Sequence, residues 1–394
     1  MLMNILIVAG EGTKNGASRA LLQMAVNLAK KPDVFLTIVV NSDSDMADVL
    51  KEHGCKVVVI HYSAFIHPYP AIVWWWFPIR FIHQWIKYWY GRIFALKELE
   101  KKIKIEDIDL IHSNSRRVDL GAALSEKYKI PLIWHIREFS DGAFRCFSFR
   151  KNYIQLMNST ASCFIAVSDS VKKHWFNKGL NEQKLLRVYD GVRLRDSVQN
   201  RKVDLKNKRI IKLVMTGSLQ PPKGQEQAIK MMAELKADGL SFTLDLIGDG
   251  SWPYTMKLKK IIKDLKLENS VRLLGYRNDV YDILPNYDIG LMCSKDEAFG
   301  LVTAEYLMAG LPVLASDSGA NKELVREGID GYLYDYGNIQ DMKEKLLKII
   351  DENLGGLQSH QYAKRKFSDA ANAENIYNEY INILKGKTGD ADIL

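Results

Sequence analysis

Two carboxylates, Glu297 and Glu305, are separated by seven intervening residues in EAFGLVTAEYLMAGLPVLAS, residues 297–316. Between them Phe299-Gly300-Leu301 marks a turn that runs straight into a helix. Gly300 lets the backbone come close to a ligand. A helix start directs unpaired N–H groups and the positive end of its dipole at any anion there. Glu305 falls in the second turn of that helix. A diphosphate at the helix start would then sit between two carboxylates, each suited to accept hydrogen bonds from sugar hydroxyls. A second segment, TGSLQPPKGQEQAI at residues 216–229, reads as a strand end, a turn and a helix beginning near Gly224. Lys223 stands at that helix start, placed to neutralise phosphate charge.

The first half of the chain offers weaker signals. In GEGTKNGASRALLQMA, Asn15-Gly16-Ala17 places Gly16 at the mouth of a helix, where loop backbone could face a phosphate. The glycines at positions 10, 12 and 16 do not spell the dinucleotide fingerprint G-x-G-x-x-G. IDLIHSNS carries His112 and Asn114 at a strand end, and LIWHIREF carries His135, followed by Arg137 and Glu138. A histidine at the carboxyl end of a strand opens into the ligand crevice, so His135 is expected there. His112 reads equally as a core residue. Cys55, Cys146, Cys163 and Cys293 have no paired spacing for zinc or a dithiol, and read as free thiols in a reducing compartment.

These residues need strand ends and helix starts to hold them. The chain alternates strands and helices, the pattern of a parallel sheet covered on both faces. NILIVAG, FLTIVV, KVVVI, IDLIHS, IPLIWHI and CFIAVS belong to a first doubly wound domain closing near Tyr189–Val192. A charge-rich stretch without apolar periodicity, VRLRDSVQNRKVDLKNK, reads as a linker. A second series follows: IIKLVMTGS, FTLDLIGDG, VRLLGY, YDIGLMC and LPVLAS. The spacing predicts domains over 1–195 and 205–360, with a helical segment over 361–394 packing back on the first. Two such domains leave a crevice between the carboxyl ends of their strands.

The E-x7-E element, set between the strands YDIGLMC and LPVLAS, resembles the signature of glycosyltransferase family 4, and the resemblance extends over nearly the whole chain. It implies the GT-B fold, with two Rossmann-like doubly wound domains facing each other across a cleft. It also implies that Glu297 contacts hydroxyls of the donor sugar, that Glu305 holds the nucleotide ribose, and that the Phe299-Gly300-Leu301 turn approaches the phosphates. Gly217, Ser218 and Gly248, at two strand ends, fall among the residues that would line the nucleotide site, as do Gly319 and Glu323 of DSGANKELV. Ser218 is a departure, because the family usually has an arginine there; Arg272 or Arg277 is the expected compensating cation. Asn114 stands where the second histidine of a His-x-His pattern would be, near the reacting centre with His135. Asp43 and Asp45 spell D-x-D, the metal motif of a different transferase fold, but they follow an ordinary strand and read as a solvated turn.

Residues 72–90, IVWWWFPIRFIHQWIKYWY, contain five of the eight tryptophans. After Pro78, Ile82, Trp85, Ile86 and Trp89 share one helical face, and Arg80, Gln84 and Lys87 another. That pattern suits the headgroup layer of an anionic membrane. Packing on the chain's own sheet, or a dimer contact, would use the same stripe. The excess of positive charge also lies in the first half: residues 1–200 hold 28 Lys and Arg against 19 Asp and Glu, while residues 201–394 hold 27 against 28. The basic residues form no dense stripe, so nucleic acid is not an expected partner. The opening residues are not a signal peptide, and no uncharged apolar run is long enough to span a bilayer.

The resemblance therefore implies a metal-independent, retaining transferase. Its co-substrate would be a nucleotide sugar, with UDP the expected base, and no other cofactor is expected. Its acceptor would be a lipid-linked or polysaccharide glycan of the cell surface, on the cytoplasmic face of the plasma membrane. A GT-B epimerase acting on a nucleotide sugar, or a non-catalytic scaffold of the same fold, would share most of these residues.

Overall fold

The computed structural model describes residues 2–10, 16–68, 77–139, 146–193 and 204–386. Asn15, Trp74, Trp75, Trp76 and most of the expected linker lie outside the described residues. The chain divides into two compact units, Met1–Gly191 with Asp369–Leu394, and Val192–Ser368.

The strands of unit 1 are β1 (Met3–Val8), β2 (Val34–Val40), β3 (Lys56–Val59), β4 (Ile66–Pro68), β5 (Leu110–Ser113), β6 (Leu132–Ile136), β7 (Cys146–Ser148), β8 (Cys163–Ala166) and β9 (Leu185–Arg187). Its first helices are α1 (Gly16–Leu28), α2 (Asp45–Glu52), α3 (Phe77–Lys102), α4 (Leu120–Tyr128), α5 (Tyr153–Thr160) and α6 (Asp169–Asn177). Seven strands pair in parallel in the order β3-β2-β1-β5-β6-β8-β9, and β4 with β7 form a small antiparallel pair. All residues of β5, β6 and β8 are buried, as expected of central parallel strands covered on both faces.

Unit 2 contains β10 (Ile211–Thr216), β11 (Phe242–Ile247), β12 (Val271–Gly275), β13 (Ile289–Met292), β14 (Val313–Ser316) and β15 (Gly331–Tyr334). Its helices are α7 (Gln225–Ala237), α8 (Trp252–Asp264), α9 (Val280–Ile283), α10 (Leu301–Met308), α11 (Asn321–Leu324), α12 (Ile339–Glu352) and α13 (Leu357–Phe367). The six strands run parallel in the order β12-β11-β10-β13-β14-β15. In each sheet the chain moves outward on one side, then returns to continue on the other. The switch points lie between β1 and β5 and between β10 and β13, and the crevice outside the strand ends at such a point is where ligands bind.

The closing segment divides, which differs from a boundary at 361. Helix α13 stays with unit 2, and α14 (Asp369–Leu384) packs on α1 in unit 1. The break has a local cause. Ser368 is extended and bridges Val192, whose N–H donates to the Phe367 carbonyl at 2.8 Å. Beyond it Ala373, Ile376, Tyr380 and Ile383 recur at helical spacing and are buried. Full burial of a large apolar side chain contributes about 1.5–3 kcal/mol. Polar ties fix the register of α14: Tyr377 donates to Asp33 at 2.9 Å, and Asn372 to the Tyr189 carbonyl at 2.7 Å. The four cysteines are free thiols, three of them buried.

One contact in unit 2 locks helix to sheet. The Tyr306 hydroxyl accepts from the Thr216 N–H at 2.8 Å, tying α10 to the end of β10. Its ring lies against Gly290 of β13 so closely that a Cβ there would collide with it. Gly290→Ala is therefore expected to destabilise the protein by about 1–3 kcal/mol through overpacking. The measurement is the urea midpoint of the unit 2 transition; an unchanged midpoint would mean that the tyrosine relocates at no cost.

Candidate active site

In unit 2 the carboxyl ends of the strands carry the residues singled out by their chemistry. Pro221–Lys223 form a short 3-10 turn, and Gly224 caps α7 in the left-handed region at φ 79°. A side chain there would run into the Cys293 carbonyl oxygen at the end of β13, so glycine is required on both counts. The Lys295 N–H donates to the Pro222 carbonyl at 2.8 Å, joining the loop after β13 to the loop after β10. Across that junction the Lys223 ammonium meets the Glu297 carboxylate, Nζ to Oε2 2.9 Å, with side-chain exposures of 34% and 15%. The pair is half-buried, so it is screened less than a surface pair and remains reachable from solvent.

Helix α10 begins beside it. Gly300 caps the helix in the left-handed region, and Leu301 is its first residue. Phe299 turns inward, with its ring edge-on to Phe367 at 5.9 Å, so only the backbone of this turn is left to meet a ligand. Glu305 lies in the second turn and is 7% exposed. The loop after β14 closes the other side. The Ala320 N–H donates to the Glu297 carbonyl at 2.9 Å, and Gly319 lies so near that carbonyl that a Cβ would strike it. Asn321 is buried, accepting from Thr303 at 3.1 Å and donating to the Ser316 carbonyl at 3.1 Å, which joins α10 to this loop.

Gly217 and Gly248 lie backbone to backbone at the ends of β10 and β11. Ser218 is exposed, and its carbonyl accepts from Gln225 at 3.0 Å. The expected compensating cations are engaged elsewhere. Arg272, on the edge strand β12, is held by Asp245 of β11 with two hydrogen bonds of 2.7 Å, and Arg277 donates to Asp279 at 2.8 Å. Of the cations singled out in the sequence, Lys223 is the one that reaches this edge. Asp43 and Asp45 flank the start of α2, where Asp43 and Asp48 pair with Lys51 at 3.6 and 3.2 Å.

Unit 1 differs from expectation at His135. The ring is fully buried within β6 rather than open to a crevice, because the strand continues to Ile136 and the side chain points into a polar network. His112 Nε2 lies 3.0 Å from His135 Nδ1, and His112 Nδ1 lies 2.7 Å from the Tyr380 hydroxyl of α14. Arg137 donates to Asn114 Oδ1 at 2.9 and 3.1 Å, pairs with Asp190, and approaches His135 Nδ1 at 3.3 Å. Arginine can only donate, so His135 Nδ1 is an acceptor. The proton directions follow: Tyr380 donates to His112, and His112 donates to His135. Asn114 is buried as Arg137's acceptor. The partners Asp190 and Tyr380 carry no sequence signal that ties them to the histidines. Tyr380 lies 268 positions from His112.

Sequence profiles match most of the chain: one described as Glycosyltransferase Family 4 over residues 39–196, and one described as Glycosyl transferases group 1 over residues 196–367. The chain is 27% identical over 256 residues to an uncharacterized glycosyltransferase of Methanocaldococcus jannaschii, covering 63% of this chain and 67% of that one. It is 24% identical over 312 residues to an Escherichia coli UDP-Gal:alpha-D-GlcNAc-diphosphoundecaprenol alpha-1,3-galactosyltransferase, covering 74% and 80%. The solved Anabaena protein HepE, in complex with UDP and glucose, superposes with a TM-score of 0.74 at 21% identity, covering 96% and 100%. The fold is GT-B, built from two Rossmann-like domains. The chain belongs to glycosyltransferase family 4.

Burial and the Arg137 charge push His112 down to about 3, and His135 well below its ordinary value. Both rings are neutral in the fold, whereas in the unfolded chain they take protons near pH 6.5. Below that pH the unfolded state binds more protons, so stability falls as pH drops, by about 1.4 kcal/mol per unit for each histidine. Burial raises Asp190 despite Arg137, and its contribution has the opposite sign, being lost as pH rises through the folded value. The thermal midpoint of unit 1 should therefore drop between about pH 7 and pH 5.5, and His112→Gln should show a shallower slope. Equal slopes would detach the effect from this histidine.

Proposed function

We propose that this glycosyltransferase moves a sugar from a UDP-sugar to a lipid-linked glycan acceptor, with retention at the anomeric carbon and without a metal ion. The observation that carries the reading is the Lys223–Glu297 pair at 2.9 Å, set between the starts of α7 and α10. Helix-start N–H groups and an ammonium supply positive charge where a diphosphate leaving group develops its negative charge, which is the role a metal would otherwise have. The bond from the anomeric carbon to the diphosphate oxygen breaks. The bond to the acceptor oxygen forms on the same face, and the acceptor proton passes to the leaving phosphate. The burial of His135 and the use of its Nδ1 as an acceptor support this course over one that needs a histidine base. The UDP in the Anabaena complex and the diphosphoundecaprenol named for the E. coli relative support the donor and acceptor classes.

Helix α3 supports placement of the reaction at a membrane surface, on the inner leaflet in this reading. Tyr88, Ala95 and Leu99 are buried, and Tyr88 donates to Asp119 at 2.6 Å. Arg150 and Arg92 close on the same carboxylate at 2.8 and 3.2 Å. The helix is thus anchored by one face; of the stripe, Trp89 is half-buried against Tyr88 and Arg150, while Ile82, Trp85 and Ile86 are exposed. Ile79, Ile82, Trp85, Ile86, Tyr90, Ile93 and Phe94 are left exposed, between 44% and 66%. Large apolar surface of this extent marks an interaction site. Lys87, Lys97 and Lys101 flank it and suit anionic headgroups. Among the described residues no helix is long and apolar enough to cross a membrane.

With EDTA present, UDP at about 100 times its Kd should stabilise the protein by about 2.7 kcal/mol, raising the thermal midpoint by several degrees; ADP and NAD should not. Lys223→Ala and Glu297→Ala should each lower turnover by about 100-fold or more, with EDTA harmless to the wild type. Strong EDTA inhibition reversed by manganese would contradict the metal-free course. Trp85→Glu with Ile86→Glu should abolish flotation with anionic liposomes while leaving UDP stabilisation intact. Equal flotation of variant and wild type would remove the membrane assignment.

A further inference from the structure

Arg116 follows β5 in unit 1, apart from the residues assigned to the donor. Its side chain is 1% exposed, one of the largest fully buried side chains of the protein. The guanidinium stacks on the buried indole of Trp175, 4.6 Å from the ring centroid. Trp175 is itself fixed, donating its Nε1–H to the Glu138 carbonyl at 2.9 Å. The charge partner of Arg116 is the Glu138 carboxylate, with Nε to Oε1 at 3.4 Å. Among the described residues neither that Nε nor that Oε1 has a hydrogen-bond partner. A buried charge normally needs good hydrogen-bond geometry to offset its lost hydration. Here a cation is stacked on an indole with its Nε donor unused among the described residues.

Position adds to this. Arg116 lies in the loop after β5 and Glu138 in the loop after β6, on neighbouring strands. Ser115 sits beside Gly10 at the end of β1, where a Cβ on the glycine would lie 3.1 Å from the serine Cβ. The loop carrying Arg116 is therefore at the β1/β5 switch point, where an open α/β sheet takes its ligand. The Glu138 side chain is 30% exposed and can swing into water. A guanidinium held flat against an indole presents its donors in the geometry that suits two parallel hydrogen bonds to a phosphoryl group.

We infer that Arg116 receives a phosphoryl group of the acceptor, and that Glu138 is the resting counter-ion the phosphate displaces. This rests on the transferase reading above and adds the chemistry by which unit 1 would recognise the acceptor. A lipid diphosphate headgroup and a soluble phosphate present the same group.

The test is calorimetric titration of the full chain with inorganic pyrophosphate after saturation with UDP, which fills the donor site. Wild type should bind. Glu138→Gln should bind about tenfold more tightly and Arg116→Gln at least about tenfold more weakly. A merely structural ion pair would give no gain in the Glu138 variant. Absence of pyrophosphate binding in UDP-saturated wild type and Glu138→Gln overturns the inference, as does wild-type affinity in Arg116→Gln. If Arg116→Gln does not fold, Glu138→Gln decides, and equal or weaker affinity overturns it. Failure of UDP itself to bind overturns the donor reading and this inference with it; UDP binding without pyrophosphate overturns this one alone. Phosphatidylcholine vesicles with undecaprenyl diphosphate or with undecaprenol then separate the sources. Arg116-dependent binding only to the first assigns the lipid headgroup. Pyrophosphate binding with no vesicle increment assigns a soluble phosphate and sustains the inference equally.

Discussion

The ammonium of Lys223 and the carboxylate of Glu297, 2.9 Å apart, are the point around which the carboxyl edge of the second sheet is built. Bringing these charges together requires three loops to approach more closely than ordinary side chains allow. The turn before α7 presses on the Cys293 carbonyl through Gly224, and the loop after β14 presses on the Glu297 carbonyl through Gly319. A backbone hydrogen bond from Lys295 to Pro222 sets the register between them. The pair also keeps each charge compensated at a half-buried place. In the proposed reaction an arriving diphosphate would take over the ammonium, and Glu297 would then accept from sugar hydroxyls.

The first sheet follows the same strand order but turns its polar residues inward. Tyr380, His112, His135, Arg137, Asn114 and Asp190 form one connected network in which the donors and acceptors along the histidine chain are fixed by the chemistry of arginine. Such a network rigidifies a core where its members are satisfied; His135 Nε2, 4.0 Å from Asp190, is the one ring nitrogen of the pair without a hydrogen-bond partner among the described residues. The network also makes α14 part of that core, because Tyr380 is the only partner of His112 Nδ1 among the described residues.

Much of this was legible in the chain. Alternating apolar segments gave the two doubly wound sheets, and the E-x7-E element gave the start of α10, because glycine, helix start and carboxylates are local features that sequence spacing records directly. The burial of His135 was not legible. A one-residue difference in where β6 ends decides whether the ring meets solvent or core, and strand ends are poorly fixed by local pattern. Nor could spacing pair Arg272 with Asp245, since that contact depends on the parallel register of β11 and β12. The break at Ser368 was missed because helical periodicity runs on both sides of it, and the bridge to Val192 that interrupts it is far away in sequence.

The chain leaves the first unit after Gly191 and comes back to it at Asp369. Seen from the ribosome, the first sheet emerges early but waits for its last helix until a whole second unit has been made. Until then His112 lacks its tyrosine, and the apolar face that will receive Ile376 and Ile383 is uncovered. The second unit, by contrast, is contiguous and can close as soon as it is synthesised. All residues of the later-coded unit are therefore made before those of the first unit are complete, whereas domains are usually completed in order from the N-terminus. A chain terminated prematurely anywhere in α14 would carry a complete second unit attached to an incomplete first one.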